Sequence, residues 1–145
     1  FAHLMRENLA KNSFFLQLCF LGRVKYPEGN LIEANKDCFE EMKQSLKDCK
    51  VQYHHGDLIA EIKKQKDIDF ISLSDVPSYF SGKLEKDFLQ DIKPSLSKGA
   101  LLVNRNYLRI PEANRKSFAD ISNNYRKYEN IEAVQMYRIE VLKNE

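Results

Sequence analysis

The sequence predicts an α/β fold in which helices cover a mostly parallel sheet. Three observations lead there. Residues 68–74 (Ile-Asp-Phe-Ile-Ser-Leu-Ser) and 99–103 (Gly-Ala-Leu-Leu-Val) are short, largely apolar runs that read as buried strands. Between them Leu84, Phe88, Leu89 and Ile92 recur at helical spacing until Pro94 stops the pattern. A strand, a helix of about ten residues and a second strand form a βαβ unit, whose strands run parallel. The 145 residues, 43% hydrophobic and 30% charged, are an ordinary globular mixture.

The remaining elements follow in chain order. Leu4, Met5 and Leu9 fall on one helical face. Asn12 and Ser13 are N-cap types ahead of an apolar helix that runs to Leu21, and Gly22 ends it. Tyr26-Pro27-Glu28-Gly29-Asn30 is a turn cluster. A helix follows over about residues 31–47, with Cys38, Met42 and Leu46 on one stripe and Phe39 beside it. Residues 51–55 read as a short strand closed by Gly56-Asp57, and residues 58–66 as a short helix begun by Asp57. Pro111 suits the first position of a further helix with Phe118, Ile121 and Tyr125 as its apolar stripe. Residues 133–142, rich in Val, Met, Tyr and Ile, read as the last strand. Residues 1–50 thus form a helical segment, an insert or cap, and residues 51–145 the α/β part.

Composition excludes several classes. Lys and Arg number 23 against 21 Asp and Glu, too balanced for a dedicated nucleic-acid binder. The longest apolar run, residues 14–21, is far short of the roughly 20 residues of a membrane span. Phe14, Phe15, Phe20 and Leu21 read as core or docking surface, with peripheral membrane contact as the alternative. The 3 cysteines have no CxxC spacing and read as reduced, buried thiols of a cytoplasmic protein. No P-loop, GxGxxG, GxSxG or HExxH motif is present. The chain opens on Phe1 in helix-like sequence with no leader pattern, which reads as the C-terminal part of a longer protein.

In open α/β sheets ligands sit outside the carboxyl ends of the strands. Three places qualify: His55-Gly56-Asp57, Ser74-Asp75-Val76-Pro77 and Asn104-Arg105-Asn106. Asp57 is both an N-cap and a carboxylate able to accept from an exocyclic amine such as that of adenine. Asp75 is either a general base or orienter of a cationic group, or the start of an Asx-type turn before Pro77. Tyr79 is a candidate pocket wall. Arg105, just past the neighbouring strand, is either a clamp for a carboxylate or phosphate or an ion-pair partner. His54 and His55 point to opposite faces of an extended segment, which argues against a shared metal.

Three segments together resemble one family: residues 12–23 (Asn-Ser-Phe-Phe-Leu through Leu-Gly-Arg), 53–58 (Tyr-His-His-Gly-Asp-Leu) and 70–79 (Phe-Ile-Ser-Leu-Ser-Asp-Val-Pro-Ser-Tyr). It comprises the bacterial proteins related to the S-adenosylmethionine:diacylglycerol 3-amino-3-carboxypropyltransferase of betaine-lipid synthesis. Residues 100–105 and 137–141 also fit. The resemblance implies a Rossmann-like, class I S-adenosylmethionine-dependent transferase fold of which this chain is the C-terminal half, with residues 1–47 as the family's helical insert. It further implies Asp57, Leu58 and Ser74 near the cofactor, and Asp75, Tyr79 and Arg105 at the reacting end. The glycine-rich cofactor loop and the ribose-binding acid of such a fold would precede Phe1, in the missing N-terminal half. Where the lipid enzymes carry a His and a second acid followed by Trp, this chain has Val76, Pro77 and Tyr79. The acceptor is then a lipid or another small molecule, and the transferred group aminocarboxypropyl or methyl. A non-catalytic α/β binding module is the other reading.

Overall fold

The computed structural model describes residues 9–107, 109–129 and 137–145. They divide into two compact units, one of the residues up to Tyr53 and one from His54 onward.

The first unit is helical. Helix α1 (Phe14–Leu21) starts as its sequence predicts, with the Leu16 N–H donating to Ser13 Oγ at 3.3 Å. It ends at Gly22, which takes a left-handed φ of 66° and donates its N–H to the Leu18 carbonyl. Gln17, 1% exposed, is the polar pin of this unit. Its Nε2 donates to the carbonyls of Lys11 (2.8 Å) and Tyr26 (2.9 Å), and its Oε1 accepts from the N–H groups of Lys25 and Tyr26 (both 2.7 Å). Every hydrogen-bonding position of that amide is filled, which offsets its burial. Gly29 is required there, because a Cβ would lie 2.4 Å from Gln17 Nε2 and 2.7 Å from the Lys11 carbonyl oxygen. Helix α2 (Lys36–Ser45) is shorter than expected; Asn35 Oδ1 caps it by accepting from Asp37 and Cys38. Its expected stripe is not buried: Phe39, Met42 and Leu46 are all exposed. The cysteine expectation also fails on burial, for Cys19 and Cys49 are exposed free thiols and Cys38 is half-buried.

The second unit contains a four-stranded sheet of order β1-β2-β4-β3. The strands are β1 (Ile68–Ser74), β2 (Leu96–Asn106), β3 (Phe118–Asp120) and β4 (Arg138–Asn144). Helix α3 (Leu58–Lys63) precedes β1, α4 (Gly82–Ile92) joins β1 to β2, and a single turn, α5 (Arg126–Glu129), follows β3. The βαβ unit is as the sequence predicts: β1 and β2 are parallel, in register from Phe70↔Leu101 to Ser74↔Arg105. The expectation of a mostly parallel sheet is wrong, because β4 is antiparallel to both β2 and β3. The sheet is mixed, and β3 runs in the same direction as β1 and β2.

Ile59, Ile62, Phe88, Leu89 and Ile92 from the helices pack on Ile71, Leu73, Leu102 and Leu142 of the sheet. Phe88, Leu89, Leu102 and Leu142 are fully buried. Each such side chain contributes about 1.5–3 kcal/mol relative to exposure. Among the described residues β1 and β2 are well covered on one face only, whereas β4 is buried on both faces at residues 140–142. Phe70, Ser72 and Ser74 of β1 are exposed, and Leu101, Val103 and Arg105 of β2 are half-buried. Neither strand is therefore the doubly buried kind expected.

Three more expectations are corrected. Residues 51–55 form no strand, and Tyr53 is 95% exposed. Residues 111–115 are irregular rather than helical, and Phe118 opens β3. Ser117, at φ 64°, makes the turn into β3, and the apparent helical stripe spans that strand and a 3₁₀ turn, Ser122–Tyr125. The last strand begins at Arg138, later than expected; residues 133–136 lie outside the described residues, as do Leu4 and Met5. Among the described residues no helix is long and apolar enough to cross a membrane.

Candidate functional site

The parallel register brings the carboxyl ends of β1 and β2 side by side. Ser74 pairs with Arg105, and the Asp75 N–H donates to the Arg105 carbonyl at 2.6 Å. Asp75 then turns the chain through a left-handed backbone (φ 57°, ψ −4°), a conformation Asp tolerates better than most residues. Its Oδ1 accepts from the Tyr107 N–H at 2.8 Å and lies 2.5 Å from Ser78 Oγ. Ser78 Oγ is also 2.9 Å from the Arg109 carbonyl oxygen, so its one proton is shared between two acceptors. The carboxylate of Asp75 thereby ties the loop after β1 to the loop after β2.

Arg105 projects from the open face. Its guanidinium carbon stands 4.4 Å from the centroid of the Tyr137 ring, a cation–π distance, and Tyr137 in turn lies 5.9 Å from Tyr107. Tyr79 ends the short 3₁₀ turn Val76–Tyr79 and is 72% exposed. Ser74 is exposed on the same face of the sheet as Arg105. Asp57 Oδ1 caps α3 by accepting from the Ala60 N–H at 2.9 Å, and Leu58 packs against the core. Asp75, Arg105, Tyr79 and Ser74 are thus at one end of the sheet, while no hydrogen bond among the described residues joins Asp57 to them.

A second tie was not visible in the sequence. Arg109 pairs with the Glu85 carboxylate and donates to the Phe80 carbonyl, and Glu85 Oε1 also accepts from the Glu112 N–H at 3.0 Å. The Arg109 hydrogen bond, then the Glu112 N–H, hold the Glu85 carboxyl below its usual range. These contacts fasten the loop after β2 to the start of α4. Residues 24 apart with no shared motif gave no signal for it. His54 faces Glu61 at 3.5 Å, and among the described residues no group of three or more His, Cys, Asp or Glu is placed to hold a metal ion.

No protein-family model, curated protein or solved structure matches the chain.

Proposed function

We propose that the chain is the C-terminal half of an S-adenosylmethionine-dependent transferase that moves an aminocarboxypropyl or methyl group to a lipid or small-molecule acceptor in the cytoplasm. The observation that carries the reading is the shared edge at Asp75 and Arg105, where two co-directional strands end together. Such an edge is where open α/β sheets keep their ligands.

In this reading S-adenosylmethionine supplies an electrophilic carbon on a sulfonium, and the acceptor's nucleophile displaces the thioether. The chain's own residues orient and hold. Arg105 attracts an acidic group of the acceptor, its guanidinium already ordered against Tyr137. Asp75 ties the loops after β1 and β2 together, and Tyr79 stands exposed at the end of the turn that follows Asp75. Toward the cofactor the chain offers Asp57, whose Oδ2 makes no hydrogen bond among the described residues and suits an exocyclic amine, with Leu58 and Ser74.

The binding-module reading is favoured by one observation: Asp75 Oδ1 is already engaged by Ser78 and Tyr107, as a structural carboxylate would be. Label transfer separates the two. The chain joined to its N-terminal half is incubated with S-adenosylmethionine labelled in the methyl or the aminocarboxypropyl carbons, and with lipid and small-molecule extracts. Label entering a product, and falling at least about tenfold in Arg105→Gln, supports the transferase. No transfer from either position eliminates it.

A further inference from the structure

Toward the carboxyl end of β2 the helix-facing side of the sheet turns polar. Asn104 Nδ2 donates to Glu140 Oε2 at 2.9 Å, and Glu140 Oε1 accepts from Arg115 Nε at 2.6 Å. Next to this pair opens a cavity of about 240 Å³ bordered by Asn106, Asp120, Arg126, Arg138, Ile110 and Ile139. Asn106 is 2% exposed, yet among the described residues neither its Nδ2 nor its Oδ1 has a hydrogen-bond partner. A buried amide with both ends unpaired is destabilising, so a ligand that offers an acceptor and a donor together is the natural complement.

The charges around the cavity narrow the class. Arg115 is neutralised by Glu140 and Arg126 by Glu129. Arg138 makes no hydrogen bond or direct ion pair among the described residues, though its charge acts on Glu129 from farther away, and it is exposed at the rim. Asp120 uses Oδ1 for the Ser122 N–H and hydroxyl, while its Oδ2 makes no hydrogen bond among the described residues. The Ser122 hydroxyl, then the Ser122 N–H, hold the Asp120 carboxyl below its usual range, so it is ionised at neutral pH. One cation in no direct ion pair and one carboxylate oxygen flank the amide. A simple anion would be repelled by Asp120, and a simple cation by Arg138.

We propose that this cavity binds a free α-amino acid with a small aliphatic side chain. Its carboxylate faces Arg138 and Asn106 Nδ2, its ammonium faces Asp120 Oδ2 and Asn106 Oδ1, and its side chain rests on Ile110. The site lies on the face opposite Arg105, and the inference does not depend on the transferase reading.

The test is an NMR titration of the protein with L-alanine and L-valine, alongside acetate and methylamine as single-charge probes, read from the backbone amides of Asn106, Arg138 and Ile139. Expected is saturable binding of an amino acid, weakened at least about tenfold in Asn106→Leu and in Arg138→Gln. No saturable binding, equal binding of acetate or methylamine alone, or unchanged binding in Asn106→Leu overturns the proposal. Arg138 is at the surface, so Arg138→Gln carries the same decision should Asn106→Leu fail to fold.

Discussion

Asp75 carries two separable burdens, a left-handed backbone and a pair of hydrogen bonds across two loops, and three substitutions pull them apart. Hydrogen bonds to a charged group contribute about 1.5–3 kcal/mol each when well buried. Asp75 is only half-buried, so together the two are worth about 2–3 kcal/mol. Asp75→Ala loses both and leaves a Cβ in the left-handed region, where the strain is about 1–2 kcal/mol. Asp75→Gly loses the same bonds but relieves the strain, and after the larger entropy of an unfolded glycine it should be about 1 kcal/mol more stable than the alanine variant. Asp75→Asn keeps an oxygen acceptor and tolerates the backbone, so its loss should stay below about 1 kcal/mol. Urea denaturation with matched m-values reads the series. An alanine variant within about 0.5 kcal/mol of the parent, the usual range for a featureless surface change, would show that Asp75 carries neither burden. An ordering that places glycine below alanine refutes the left-handed strain.

The Arg105–Tyr137 stack should show a coupling of about 0.5–1 kcal/mol in a double-mutant cycle of Arg105→Ala and Tyr137→Leu, and strict additivity would remove the cation–π contact. Gly29→Ala forces a methyl against Gln17 and the Lys11 carbonyl; a loss of about 1–3 kcal/mol in urea melts is expected, and a neutral result would show that the Gln17 pin yields freely. Acid should unfold the second unit through its carboxylates. Glu85 and Asp120 are held below their ordinary values by hydrogen bonds; for Glu129 burial pushes upward but is outweighed by the Ile139 N–H and Arg126. A depressed folded value means the unfolded chain binds the proton more readily. The stabilisation is therefore complete above the ordinary carboxyl values of 3.8 and 4.5 and is lost as pH falls through the lower folded values. Urea midpoints between pH 7 and pH 3, about the span over which carboxylates titrate, should drop at the acid end, and less steeply in Glu85→Gln. An unchanged slope in that variant would exclude the Glu85–Arg109 tie as a contributor.

The sequence carried its local and near-local information well. Ser13, Gly22, Asn12 and Asp57 lie at or beside helix ends because capping chemistry is written in one to four adjacent residues. The adjacency of Asp75 and Arg105 was legible because a βαβ unit fixes strand direction, and direction fixes which ends meet. The antiparallel β4 was not legible. Its place between β2 and β3 is decided by pairing between residues 32 (Asn106↔Arg138) to 42 (Leu101↔Lys143) positions apart, through residues with no period of their own. The Phe118, Ile121 and Tyr125 spacing imitates a helix while actually crossing a three-residue strand and a turn. Everything that hangs on β4 was hidden in turn, including the Asn104–Glu140–Arg115 contacts and the open amide of Asn106. The strand expected at residues 51–55 has alternating chemistry but no neighbour to pair with among the described residues.

The start of the β1–β2 pairing holds slack. Between Ile68↔Leu96 and Phe70↔Leu101, two steps along β1 are matched by five along β2, and Gly99, at φ 82°, lies in the surplus. Farther on, the rungs advance one for one to Ser74↔Arg105. A residue added or removed near Lys98 can therefore be absorbed before the pairing becomes regular, leaving the far rungs aligned. That stretch is the natural place to graft a tag or reporter without disturbing the opposite end of the ladder.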